Sequence, residues 1–225
     1  LLADGGGATR IADTLIAKFG QKHVQWAMLI AAFIVGIALF FEVGLVLLIP
    51  LVFTVAKRAN VSILKLGLPM VTALSVTHGF LPPHPGPVVI AKELKANIGE
   101  VLLYGMIIAI PVTLISGPLF NRFAQKMVPT AYTREGDISS LGTQKEFKEE
   151  EMPSFGISLL TAILPVILML ISTIVQLITG HEEATNVFEQ IVYFIGTAGT
   201  AMLIAVIFAI FTMGTKQQRK MEDIM

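Results

Sequence analysis

Cysteine is absent from the chain, which excludes disulfides, thiolate-bound metals and cysteine nucleophiles. Charge is scarce: 14% of the residues are Asp, Glu, Lys or Arg, where a soluble domain carries about 25%. The two signs cancel to a net charge of zero, so charge balance offers nothing to a nucleic-acid partner. Gly5, Gly6 and Gly7 lack the spacing and the Lys-Ser/Thr ending of a phosphate loop, which argues against an ATP-driven pump. Neither a His-Glu-x-x-His nor a Gly-x-Ser-x-Gly pattern occurs, which argues against an intramembrane hydrolase. The expectation is therefore a non-enzyme that uses no cofactor and no metal. The opening Leu1-Leu2-Ala3-Asp4 has neither methionine nor a basic leader, so no signal peptide is visible and a fragment is expected.

What the chain has instead is apolar length: 54% of its residues are hydrophobic. Residues 24–55 carry Glu42 as their only formal charge, and comparable runs cover 101–120, 155–178 and 191–213. A hydrocarbon core of about 30 Å needs about 20 helical residues, so several runs are long enough to cross it. Helices buried all round also occur in large soluble proteins, but so many in one short chain would leave none to cover them. The fold expected is all-α, a polytopic membrane protein seated in a lipid bilayer.

Two of these elements cannot be simple crossings. As one helix, residues 24–55 would be about 48 Å long. The run is interrupted at Phe40-Phe41-Glu42-Val43-Gly44 and flanked by Lys18 and Lys22 on one side and Lys57 and Arg58 on the other. Positive flanks at both ends favour a re-entrant hairpin with both ends in the cytoplasm and Glu42 near the tip. Between Thr77 and Pro87 stand four prolines and two glycines with apolar residues on either side. Each interior proline removes a backbone donor, so an unwound helix within the membrane is expected there.

The segments expected are a glycine-rich turn and interfacial helix at 1–23, the re-entrant hairpin at 24–57 and a broken transmembrane helix at 61–95. They continue with a transmembrane helix at 98–122 kinked at Pro111 and Pro118, and a cytoplasmic loop at 123–154. Transmembrane helices at 155–178 and 188–214 and a cytoplasmic tail at 215–225 complete the chain. The turn between the last two spans holds three glutamates and no lysine or arginine, so Glu183 is expected outside and Glu146, in the earlier loop, inside. Lys92 and Lys95 then fall outside, against the rule.

Glu42 is the first candidate for chemistry, because a carboxylate within an apolar run is costly and suited to taking up and releasing a proton. Its structural alternative is a glutamate pinned to backbone donors at the hairpin tip. His78 and His84 flank the proline cluster and can titrate near neutral pH or donate to a carboxylate; alternatively they tie down loose carbonyls. Their spacing is not that of a zinc helix. Thr77 and Ser75 offer hydroxyls, although such groups in membrane helices often bond their own backbone. Trp26 and the methionines read as packing or interface residues.

Three strings, ADGGGATRIADTLIAKFG at 3–20, ALFFEVGLVLLIPLVF at 38–53 and LSVTHGFLPPHPGP at 74–87, resemble the gluconate permease family of proton symporters. The resemblance covers essentially the whole chain, which corresponds to about half of a family member. It implies one part of an inverted-repeat transporter in the bacterial inner membrane that takes up gluconate or a related sugar acid with protons. A symporter for another small hydroxy-carboxylate and a non-transporting membrane scaffold are the alternatives, and a homo-oligomer is compatible with each. The substrate region implied is Thr77, His78, Gly79, Pro82, Pro83, His84, Pro85 and Gly86, with Glu42, His78 and His84 serving proton coupling. The partner hairpin would lie in the half this chain does not contain.

Overall fold

The computed structural model describes residue 2 and residues 5–133, 152–180 and 183–214, and these form helices and connecting turns without a strand. Most of the charged loop after Thr133, including Glu146, and the basic tail with Lys216, Arg219 and Lys220 lie outside the described residues.

Helix α1 (Gly7–Phe19) packs its Ala8, Ile11, Ala12 and Leu15 face into protein, on α2 (Val24–Ala38) and α8 (Phe155–Thr179). Arg10 fixes it there, its Nε donating to the Pro153 carbonyl at 3.0 Å. With 15 residues, α2 is about 22 Å long, too short for a full crossing. It stops where Leu39 and Phe40 turn extended, and α3 (Phe41–Ala59) begins at once.

Contacts with α4 (Ile63–Phe80) fix the direction of both. Gly36 lies against Leu74 and Thr77, while Leu29 and Pro69 both lie beside Gly117, so α2 runs parallel to α4. Gly44 also lies against Leu74 but Val52 approaches Gly67, so α3 runs antiparallel to it. Together α2 and α3 make a helical hairpin laid along α4, with its tip at Leu39 and Phe40. Bare Cα positions at 36 and 44 let both arms close on the same leucine.

Helix α4 and the shorter α5 (Pro85–Glu93) make a broken element of 31 residues, Ile63–Glu93. It is followed by the 30-residue Ile98–Met127, which comprises α6 (Ile98–Leu114), a wide turn at Ile115–Leu119 and α7 (Phe120–Met127). That wide turn contains Pro118, whose missing N–H is accommodated by an extra residue in the turn. Gly105 meets the end of α4, Thr72 Oγ1 donates to the Ser116 carbonyl at 3.3 Å, and Asn121 Nδ2 donates to that of Lys65 at 3.0 Å. The two elements are therefore antiparallel.

At the far end Asn97 Nδ2 donates to Gln176 Oε1 at 3.0 Å, which orients α8 antiparallel to α6. In place of the continuous span expected at 188–214, α9 (Val187–Ile195) and α10 (Ala198–Ala209, extended to Gly214) are bent by 71°. The physical reasons are two: Gly196 presses on Ser172 of α8, and Thr197 takes an extended conformation as the cap of α10. Among the described residues three helices are long and apolar enough to cross a membrane, or four if the bent pair is one span.

These directions gather charge. Lys57, Arg58, Lys65, Arg122 and Lys126 lie at one end of the helices, with Arg10 of α1, while Lys92 and Lys95 lie at the other.

Candidate functional site

The tip of the hairpin and the break between α4 and α5 meet. In an unbroken α2 the Gly36 carbonyl would accept from the amide of residue 40, but Phe40 has turned extended to start α3. His84 takes that place, its Nε2 lying 2.8 Å from the Gly36 oxygen. A carbonyl only accepts, so Nε2 carries the hydrogen and donates it. The His78 and His84 rings are 4.7 Å apart, and Phe40 lies 5.8 Å from the first and 6.2 Å from the second. Beneath them Thr77 presses on Gly36, where any Cβ would collide with its hydroxyl. Nδ1 of His78 is buried with no hydrogen-bond partner among the described residues.

The prolines account for the shape of the break. Pro82 and Pro83 have no amide hydrogen to give the His78 and Gly79 carbonyls, so α4 ends at Phe80. Leu81 N still reaches the Thr77 carbonyl at 3.1 Å, and His84 N turns back to that of Leu81 at 3.2 Å. Pro85 and Pro87 then fall in the first turn of α5, where a missing donor does no harm. The interruption is thus 81–84, narrower than the 77–87 stretch the sequence suggests, and its Pro82–Pro83 peptide is cis. Two helix C-termini, of α2 and α4, and two N-termini, of α3 and α5, converge on it. The former present carbonyls that suit cations and hydroxyl donors; the latter present amides that suit anions.

Not every residue singled out in the sequence faces this junction in the same way. His78 and His84 come together, and Gly79, Pro85 and Gly86 are exposed, with nothing near the positions a Cβ would take at either glycine. Ser75 is also exposed, one turn before Gly79 on α4. Thr77 and Pro82 are buried, Pro83 is half-buried, and the Thr77 hydroxyl donates back to the Ala73 and Leu74 carbonyls at 2.9 and 3.0 Å. Glu42 is exposed in the first turn of α3, where the helix dipole favours a carboxylate. Sequence reasoning missed Phe40 and Gly36. The signal for Gly36 is a lone glycine in an apolar helix, whose partner stands forty-odd positions later.

Comparison with known proteins matches residues 1–225 to the GntP family permease description. The chain is 57% identical to a gluconate permease of Bacillus subtilis over 226 residues, covering 100% of this chain and 50% of that protein. It is 50% identical to the high-affinity gluconate transporter of Escherichia coli, covering 100% and 49%. It is 40% identical to the D-serine transporter DsdX of Escherichia coli, covering 96% and 47%. The chain spans about half the length of the curated relatives it matches. No solved structure matches.

Proposed function

The chain belongs to the GntP permease family, and on that premise we propose that the full-length permease is a proton-coupled importer of gluconate or a related sugar acid in the bacterial inner membrane. The observation that carries this reading is the junction of hairpin tip and proline break, where Phe40, His78 and His84 cluster. Polyol hydroxyls donate to the His78 and Gly79 carbonyls, which the prolines leave without helical donors. The carboxylate accepts from His78 and from the exposed amide of Gly86 at the start of α5. Thr77 and Pro82 support the site from behind. Glu42, on the open side, and the two histidines carry the proton. The relatives named for gluconate support the substrate class.

Uptake of labelled gluconate into proteoliposomes, with and without an imposed proton gradient, tests this. Accumulation should require the gradient, and equal accumulation without it sinks the coupling. A second substrate reading has one observation in its favour, the relative named for D-serine. A panel of gluconate, fructuronate, glycerate and D-serine separates the two, since the sugar-acid reading requires gluconate or fructuronate to compete best.

The basic end with Lys57, Arg58, Lys65, Arg122 and Lys126 supports a cytoplasmic position for both ends of the hairpin, which would then be re-entrant. Single cysteines at Lys22 and Lys57 should react with an impermeant thiol reagent from the same side. Labelling from opposite sides makes the segment a crossing.

A further inference from the structure

A cavity of about 520 Å³ opens between the end of α4 and the first half of α6. Phe80, next to the proline break, lines it together with Lys95, Glu100, Tyr104 and Gly105. Asn97, the cap of α6, and residues 101, 104, 105 and 108 of that helix share one face, so the cavity is a groove running from the α5–α6 turn to the break. Gly105 lets the end of α4 close on α6: a Cβ there would stand 2.8 Å from the Phe80 carbonyl oxygen. Asn97 is occupied, its Oδ1 accepting from the Gly99 and Glu100 amides and its Nδ2 donating to Gln176. Lys95 is exposed just past the end of α5 and makes no ion pair among the described residues.

We propose that this groove is a vestibule that binds the polyhydroxy carboxylate before it reaches the break. This rests on the transport reading above and adds a second, outlying site to it. The ammonium of Lys95 takes the carboxylate, Glu100 and the Tyr104 hydroxyl take substrate hydroxyls, and the Phe80 ring underlies the carbon chain. The volume suits one small ligand with water. A phospholipid phosphate offers Lys95 the same anionic chemistry, but Glu100 and Tyr104, which also line the groove, suit a ligand that brings hydroxyl donors along with its anion. An exposed lysine acts on capture more than on turnover, since its field raises local anion concentration and is screened by salt.

The test is the initial rate of gluconate uptake by the full-length permease in proteoliposomes, at low and high ionic strength and in two lipid compositions, with and without anionic lipid. Lys95→Gln should raise KM about three- to fivefold at low salt, with kcat unchanged, and should flatten the salt dependence of KM. Lys95→Arg should behave as the parent, and Tyr104→Phe should raise KM without altering the salt slope. A Lys95→Gln KM equal to the parent at both salts overturns the vestibule while leaving the transport reading intact. So does a loss confined to kcat. A KM that follows anionic lipid in the parent and not in Lys95→Gln assigns the groove to a lipid headgroup. A parent that carries no sugar acid removes the transport reading itself, and the vestibule with it.

Discussion

Two breaks in the apolar elements of this chain, between α4 and α5 and between α9 and α10, are repaired differently. Between α4 and α5 the loose backbone is held from a distance: His84 donates to Gly36 on another helix, and Phe40 packs on both histidines. Between α9 and α10 the repair is local. Gly196 N reaches the Val192 carbonyl at 3.0 Å, and the Thr197 hydroxyl donates to that of Phe194 at 2.9 Å. No proline stands there, and Val187, Phe188, Ile191 and Phe194 of α9 are exposed. This break packs on α8 through Gly196 and Ser172, but the hydrogen bonds that repair its backbone are its own. A break satisfied by a second element changes whenever that element moves, which is the property a transport site needs.

The largest effect should come from removing the contact on which the first break depends. Gly36→Val puts a branched side chain where even a Cβ collides with Thr77. Overpacking of this kind costs about 1–3 kcal/mol, and gluconate uptake should be abolished at measurable membrane expression. Wild-type uptake by Gly36→Val would mean that hairpin and break are not coupled. Next in size is Glu42→Gln, expected to abolish gradient-driven accumulation while substrate exchange across the membrane persists. If this variant accumulates gluconate fully, Glu42 serves only the start of α3.

His84→Ala should follow, because it leaves the Gly36 carbonyl without its donor. Leaving that buried carbonyl unsatisfied costs about 1–3 kcal/mol of folded-state stability, and gluconate affinity should fall by up to roughly a hundredfold as the hairpin tip loosens. His84→Asn retains a donor and should recover part of the loss. His78→Ala should weaken binding comparably while leaving the hairpin seated, a distinction that protease accessibility of the folded protein can read. The smallest effect belongs to the second break. Thr197→Val removes one local hydrogen bond, worth about 1 kcal/mol, and uptake should stay within about twofold of the parent. A tenfold loss there would erase the contrast between the two breaks.

How far the sequence discloses these breaks follows from what each uses. Pro82, Pro83, Pro85 and Pro87 announce the first, but they overstate it. Thr77 to Phe80 still complete α4, because a proline forbids only the bonds it would have donated, and Pro85 opens α5 as readily as any residue. The hairpin is legible in the length of residues 24–55 and in their flanking lysines and arginines. Its turn falls at Leu39 and Phe40, just before the Glu42 and Gly44 that suggest it. The bend at Gly196 and Thr197 is invisible by hydropathy, since small residues interrupt a run without lowering it. Of the site, the two histidines are readable as chemistry. Gly36 and Phe40 are not, because their partners lie on α4 and on the loop after it, and no local spacing encodes that meeting.

Gly36 serves the first break twice, once through its carbonyl and once through its missing side chain. In evolutionary terms that makes it a hinge of constraint rather than a tolerant spacer. A larger residue at 36 would need a smaller one at 77 to fit, and the change would shift the oxygen that His84 must still reach. Single-step routes away from this arrangement are therefore closed. Positions 36, 77 and 84 should vary, where they vary at all, as a set of three.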